Sequence, residues 1–225
     1  MSTDPAPPSG PADQAPSAWA ASFVTTEHFT LQGARSSTVS ESTGRATMFL
    51  GTVSGGLVAL GLIGTAAGVG PAFSAFGLVL LPTLVFVGLV TFDRTLQSGL
   101  EDFGYARRIA RLRAYYFEHS PELVTHLASV PAAERLALQG LRGGRSQWFV
   151  TVAGMIAVIT GVLAGSTAAL VVAVLAPRAF AAALGAGLVV GTAVLVMLMR
   201  YQASAWRHLA TEHAVEEQRR TGAVG

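Results

Sequence analysis

Arg45-Ala-Thr-Met-Phe-Leu-Gly-Thr-Val-Ser-Gly-Gly-Leu-Val-Ala-Leu-Gly-Leu-Ile-Gly64 opens the stretch that decides the fold. A Gly70-Pro71 break follows, then a second apolar run that ends at Phe92. Between Arg45 and Asp93 there is no Asp, Glu, Lys, Arg or His. Two apolar segments of about 20 residues joined by a tight turn read as a transmembrane helical hairpin. Trp148 to Met199 repeats the pattern, with Pro177-Arg178 at the turn. The expected fold is therefore all-α: a polytopic membrane protein with four transmembrane helices in two hairpins, at residues 46–68, 72–92, 148–175 and 179–199.

Composition agrees with that reading. The 225-residue chain is 51% hydrophobic and 12% charged, about half the charge of a soluble domain. All fifteen basic residues are Arg. With no Cys, disulfides, thiolate metal sites and cysteine nucleophiles are excluded. A formal charge of +2 gives no footprint for nucleic acid.

Outside the spans the chain is polar. Residues 1–24 carry Pro5, Pro7, Pro8, Pro11 and Pro16 among Ala, Ser and Gly, a composition that predicts a disordered tail. Residues 25–45 read as a helix capped by Thr25 or Thr26, with Glu41 and Arg45 spaced for an i,i+4 pair and Gly44 as a candidate break. If that helix enters the first span unbroken, it reaches from about Glu27 to Gly68. Pro82 predicts a kink in the second span, with Thr83 as a hydroxyl able to satisfy the freed carbonyl. Residues 93–147 form the one sizeable polar segment. It reads as a helix to His119 with a shift of apolar stripe near Gly104, then a short helix over 132–141. Residues 200–225 continue the fourth span as a polar helix and tail. A spans-in-duplicate origin finds faint support in Arg45, Phe49, Thr52 and Gly55 against Arg145, Phe149, Thr151 and Gly154.

Fourteen of the fifteen Arg residues fall in the termini and middle segment, and only Arg178 in a turn. The positive-inside rule then puts both termini and residues 93–147 in the cytoplasm of a plasma-membrane protein. Trp148, Tyr201 and Trp206 fall near that boundary, where an amphipathic ring suits the headgroups.

No ionisable residue lies inside any span, which argues against proton relays, voltage sensors and ion-coupled transporters. Small residues recur four apart at Gly51 and Gly55, Gly161 and Gly165, and Gly187 and Gly191, a spacing that lets helices approach closely. Packing within one bundle and an oligomer interface are both open readings. Thr47, Gly51 and Ser54 share a face of the first span; they are candidate pore-lining residues, or their hydroxyls bond their own helix. Arg107, Arg108, Arg111 and Arg113 are the densest charge. Arg107 stands roughly 20 Å beyond the bilayer on a straight helix, which weakens a lipid role. The partners are then carboxylates such as Glu101, Asp102 and Glu118, or an anionic ligand such as a nucleotide or a cytoplasmic protein. The five His residues are scattered, and no phosphate loop or dinucleotide fingerprint is present, so no catalytic residue, cofactor or metal is expected.

The run Glu27-His-Phe-Thr-Leu-Gln-Gly-Ala-Arg35, then Glu41, Gly44-Arg45 and Phe49-Leu50-Gly51, resembles an actinobacterial family of small four-span membrane proteins. Tyr105-Ala106-Arg107 and Ile109-Ala-Arg-Leu-Arg-Ala-Tyr-Tyr116 are similar to the same family's middle segment, so the likeness covers most of residues 27–200. It implies the four-span plan and assigns no activity. In architecture alone, a cytoplasmic helix feeding hairpins resembles the SLATT-type membrane effectors of bacterial conflict systems. That likeness implies membrane perturbation on sensing a nucleotide-derived signal. The sequence expectation is thus a non-enzymatic homo-oligomer forming a regulated pore or membrane-perturbing assembly. The alternative is a membrane-anchored scaffold whose helical layer docks a partner.

Overall fold

The computed structural model describes residues 18–119 and 151–222, with side chains described for 22–110, 112 and 151–208. Within these residues every regular element is an α-helix. They are α1 (Ala18–Ala67), α2 (Pro71–His119), α3 (Val152–Leu175) and α4 (Phe180–Gly222). All four are long and apolar enough to cross a membrane, which makes this a multi-pass membrane protein of four helices.

Three of the helices greatly exceed a bilayer. At about 1.5 Å per residue, the 50 residues of α1 extend roughly 75 Å, against a hydrocarbon core of about 30 Å. The excess is the polar part: the start of α1 and the far ends of α2 and α4 project together at the Arg-rich end. Helix α1 starts at Ala18, earlier than the tail boundary read from the sequence, because Ala18-Trp19-Ala20-Ala21 are better helix formers than the Pro-rich residues before them. It also runs through Gly44 without a break, since one glycine costs only about 1 kcal/mol and the helices on both sides continue it. Helix α3 begins at Val152, capped by the Thr151 side chain, so its described start is later than residue 148. The helix expected over 132–141, and Trp148, lie outside the described residues.

The hairpin turns are tight for stated reasons. Helix α1 ends because Gly68 takes φ +70°, a conformation that only glycine adopts without strain. Pro71 then opens α2, where its missing N–H is no loss. Pro82 lies inside α2 and the helix continues through it. Thr83 does not cover the carbonyl that Pro82 frees, which is four residues back at Leu78; its hydroxyl donates to Val79 O at 2.7 Å.

The helices pack in chain order, α1 on α2, α2 on α3 and α3 on α4, with only light contact between α1 and α3 or α2 and α4. The result is a row with α1 and α4 at its edges. Phe49, Leu81, Leu84, Phe92, Ile156 and Leu198 are among its buried apolar core. Gly88 of α2 is the point where three helices meet. A Cβ there would run into the Thr160 side chain of α3, and into Phe49 of α1 at 3.2 Å. Thr160 is fully buried and satisfies its hydroxyl on Ile156 O.

Candidate functional site

The edge helix α1 has two unlike faces. Leu31, Ala46, Phe49 and Val53 are buried on the side of the row. Two residues away, about 200° around the helix, lies the outward face. Over the apolar half it reads Thr47, Gly51, Ser54, Val58, Gly61, Thr65; over the polar half, Thr26, Thr30, Gly33, Ser37, Ser40, Gly44. These positions alternate strictly four and three apart, and every one is exposed. Nothing lies within 4 Å of a Cβ built at Gly33, Gly44, Gly51 or Gly61. All but Val58 are Gly, Ser or Thr, and Val58 is 63% exposed. The Thr47 hydroxyl donates to Thr43 O and that of Thr30 to Thr26 O, so these donors are spent on their own helix while the residues stay exposed.

Gly55, expected to pack a helix, also meets nothing within 4 Å. This differs from the sequence expectation, because α1 has a neighbour on only one side. Gly161, Gly165, Gly187 and Gly191 behave oppositely. A Cβ on Gly165 would stand 2.6 Å from Gly187 O, and one on Gly191 2.9 Å from Gly161 O. Backbone touches backbone there, so α3 and α4 cross with no side chain between them. Beside the crossing runs a shallow apolar groove of about 350 Å³, flanked by Val162, Ser166, Leu188 and Thr192.

At the Arg-rich end, Arg35 of α1 donates from Nε to Asp102 Oδ1 of α2 at 2.8 Å. Asp102 is thereby engaged by α1 rather than by the basic cluster of its own helix. Arg107 instead lies over the Phe103 ring, 5.3 Å from its centroid. Phe103 in turn meets Trp206 of α4 edge-on at 5.6 Å. Arg108 is exposed. The side chains of Arg111 and Arg113 lie outside the described residues. Glu41 and Arg45 form the i,i+4 pair. Gln32 and His28 share a hydrogen bond of 2.8 Å, and no group of three metal-ligating side chains converges among the described residues.

A polar joint closes the row where the apolar spans end. Tyr201 of α4 donates to Asp93 Oδ1 of α2 at 3.3 Å, and Gln97 donates to Asp93 Oδ2. Gln202 Nε2 donates to Thr151 Oγ1, the cap of α3, at 3.2 Å. Thr95 Oγ1 and Gln202 Oε1 are buried there without a hydrogen-bond partner.

No protein-family model matches the chain, and no curated protein or solved structure does. Its function is therefore read from geometry. Sequence reasoning found three members of the outward face, Thr47, Gly51 and Ser54, and missed its extent. The available signal was the unbroken four-and-three spacing through Gly44 into the polar half. It also missed Gly88 with Thr160, and Phe103 with Trp206, because such pairs are created by contact between helices far apart in sequence.

Proposed function

We propose that the chain is a non-enzymatic plasma-membrane protein, both termini cytoplasmic, that self-associates through α1 into a regulated pore or membrane-perturbing assembly. The observation that carries this reading is the outward face of α1. Lipid is best met by large aliphatic side chains, whose dispersion contacts small residues forgo. A Gly/Ser/Thr face instead suits close approach of another helix, or water. Its spacing is that of a coiled-coil seam, and it continues beyond the apolar half, where lipid tails do not reach. Around an axis, Thr47, Gly51 and Ser54 would present oxygens and backbone to water. Val58, the one hydrocarbon side chain on the apolar half of the face, would form the constriction that gates by dewetting. The exposed Arg108 and the Arg107 that stacks on Phe103 would receive the trigger, an anionic nucleotide or a cytoplasmic protein.

The decisive experiment is subunit counting by native mass in lipid nanodiscs, followed by ion flux in liposomes. Three or more subunits are expected. Thr47→Leu with Ser54→Leu should abolish flux with assembly intact, and Val58→Ser should raise it. A monomer or dimer overturns the axial pore. The scaffold alternative draws on a different observation: Phe23 and Phe29 are 68% and 67% exposed on the polar half of α1. It predicts that the spans can be exchanged for unrelated ones without loss of activity.

A further inference from the structure

Gln202, bonded to the cap of α3, carries a buried acceptor without a partner, beside a helix end whose first-turn N–H groups are donors. An α-helix leaves the N–H groups of its first turn without intrahelical partners. In α3 the Gly154 N–H goes to Thr151 Oγ1 at 3.0 Å and the Met155 N–H to Thr151 O, which leaves those of Val152 and Ala153. Ala153 is 4% exposed. The carboxamide of Gln202 sits on the same cap through its Nε2 contact to Thr151 Oγ1. Gln202 is 1% exposed, and its Oε1 is buried without a partner. A buried carbonyl oxygen left unmatched is destabilising, so native structures rarely leave one.

We infer that one water molecule is bound at this joint, donating to Gln202 Oε1 and accepting from the first-turn N–H groups of α3. The chemistry selects that ligand. An anion would suit the helix N-terminus but would face the lone pairs of Oε1. A cation would suit Oε1 but would face the positive end of the helix. A neutral molecule that both donates and accepts satisfies the two at once, and water is the smallest that does so. The water ties α4 to the start of α3 at the level where the spans give way to polar helix. It requires no second copy of the chain, so it stands or falls separately from self-association.

The test is a map of the full-length protein in nanodiscs at a resolution that shows ordered water. The expected result is a density within hydrogen-bond distance of both Gln202 Oε1 and a first-turn N–H of α3. Absence of that density in a map that shows other ordered waters overturns the inference, as does a protein donor found directly on Oε1. Gln202→Met, of similar shape but without the amide, should lack the density and lower Tm by about 3 °C or more. A Gln202→Met protein that melts at or above the parent also counts against the bound water, because replacing an unmatched polar group is neutral or stabilising.

Discussion

The two hairpins use the same small residues at the same spacing to opposite ends. In the second, Gly161 and Gly165 meet Gly187 and Gly191 backbone to backbone, and the crossing has no room for a methyl group. In the first, α1 and α2 are held apart by side chains: Gly56 receives Leu80 and Leu84, and Gly64 receives Phe73. Gly51 and Gly55 point away from every neighbour. A small-xxx-small pattern therefore states that a helix can be approached closely, not by what. Helix α3 is interior to the row and has its partner within the chain. Helix α1 is at the edge, and its small face remains open.

The sharpest way to break this contrast is a matched pair of substitutions. Gly165→Leu should cost on the order of 4 kcal/mol or prevent the α3–α4 hairpin from forming, because the clash is with backbone that cannot turn aside. Gly55→Leu should leave the stability of the single chain within about 0.5 kcal/mol. Thermal unfolding in detergent, at dilution that keeps the protein monomeric, compares the two. Equal costs would mean that the faces are not different in kind.

A smaller effect is expected where the two hairpins meet. Gly88→Ala should cost about 2 kcal/mol, because its methyl group would fall on the Thr160 side chain. Here the obstacle is a side chain, so adding Thr160→Ala should recover most of the loss. If the double variant is no better than the sum of the singles, the α2–α3 contact is made elsewhere.

Weaker again is the tie between the polar halves of the first hairpin. Arg35 and Asp102 side chains are 34% and 26% exposed, so the pair is partly screened and Arg35→Ala should cost no more than about 1 kcal/mol. The change should be local, seen as faster amide exchange over 22–40 and 98–110 with the apolar spans unaffected. Exchanging the two charges, Arg35→Asp with Asp102→Arg, should restore part of the protection. Faster exchange throughout the spans would show the extensions to be part of the cooperative core.

The smallest expected effect has the opposite sign. Thr95 is 3% exposed and its hydroxyl has no partner, so Thr95→Val keeps the shape and removes an unmatched polar atom. Stability should be unchanged or rise by up to about 1 kcal/mol. A clear loss would mean that the hydroxyl is in fact bonded.

How far these features were legible in the sequence depends on their range. The four apolar helices, both turns and the Glu41–Arg45 pair are read correctly because each is set by neighbours within a few residues. For the start of α1 the local signal misleads: Thr25 and Thr26 look like caps, whereas the helix begins at Ala18 in the helix-forming Ala18–Ala21 before them. Asp102 illustrates the other limit. Nothing within its own helix distinguishes the neighbouring arginines from Arg35, which is brought to it by antiparallel packing of α1 on α2.

Sequence alone determined that four segments are helices and that they belong in a membrane. An uncharged apolar run of this length can satisfy its backbone in hydrocarbon only by bonding within itself. It determined too where the chain turns, because Gly68 and Pro71 act through their own backbone geometry. Only the tertiary structure decided which glycines are covered. Every apolar face has the same reason to be buried, and lipid makes leaving it exposed inexpensive. The order of the row, α1 at one edge and α3 inside, is what sends Gly165 against a backbone and leaves Gly51 facing outward.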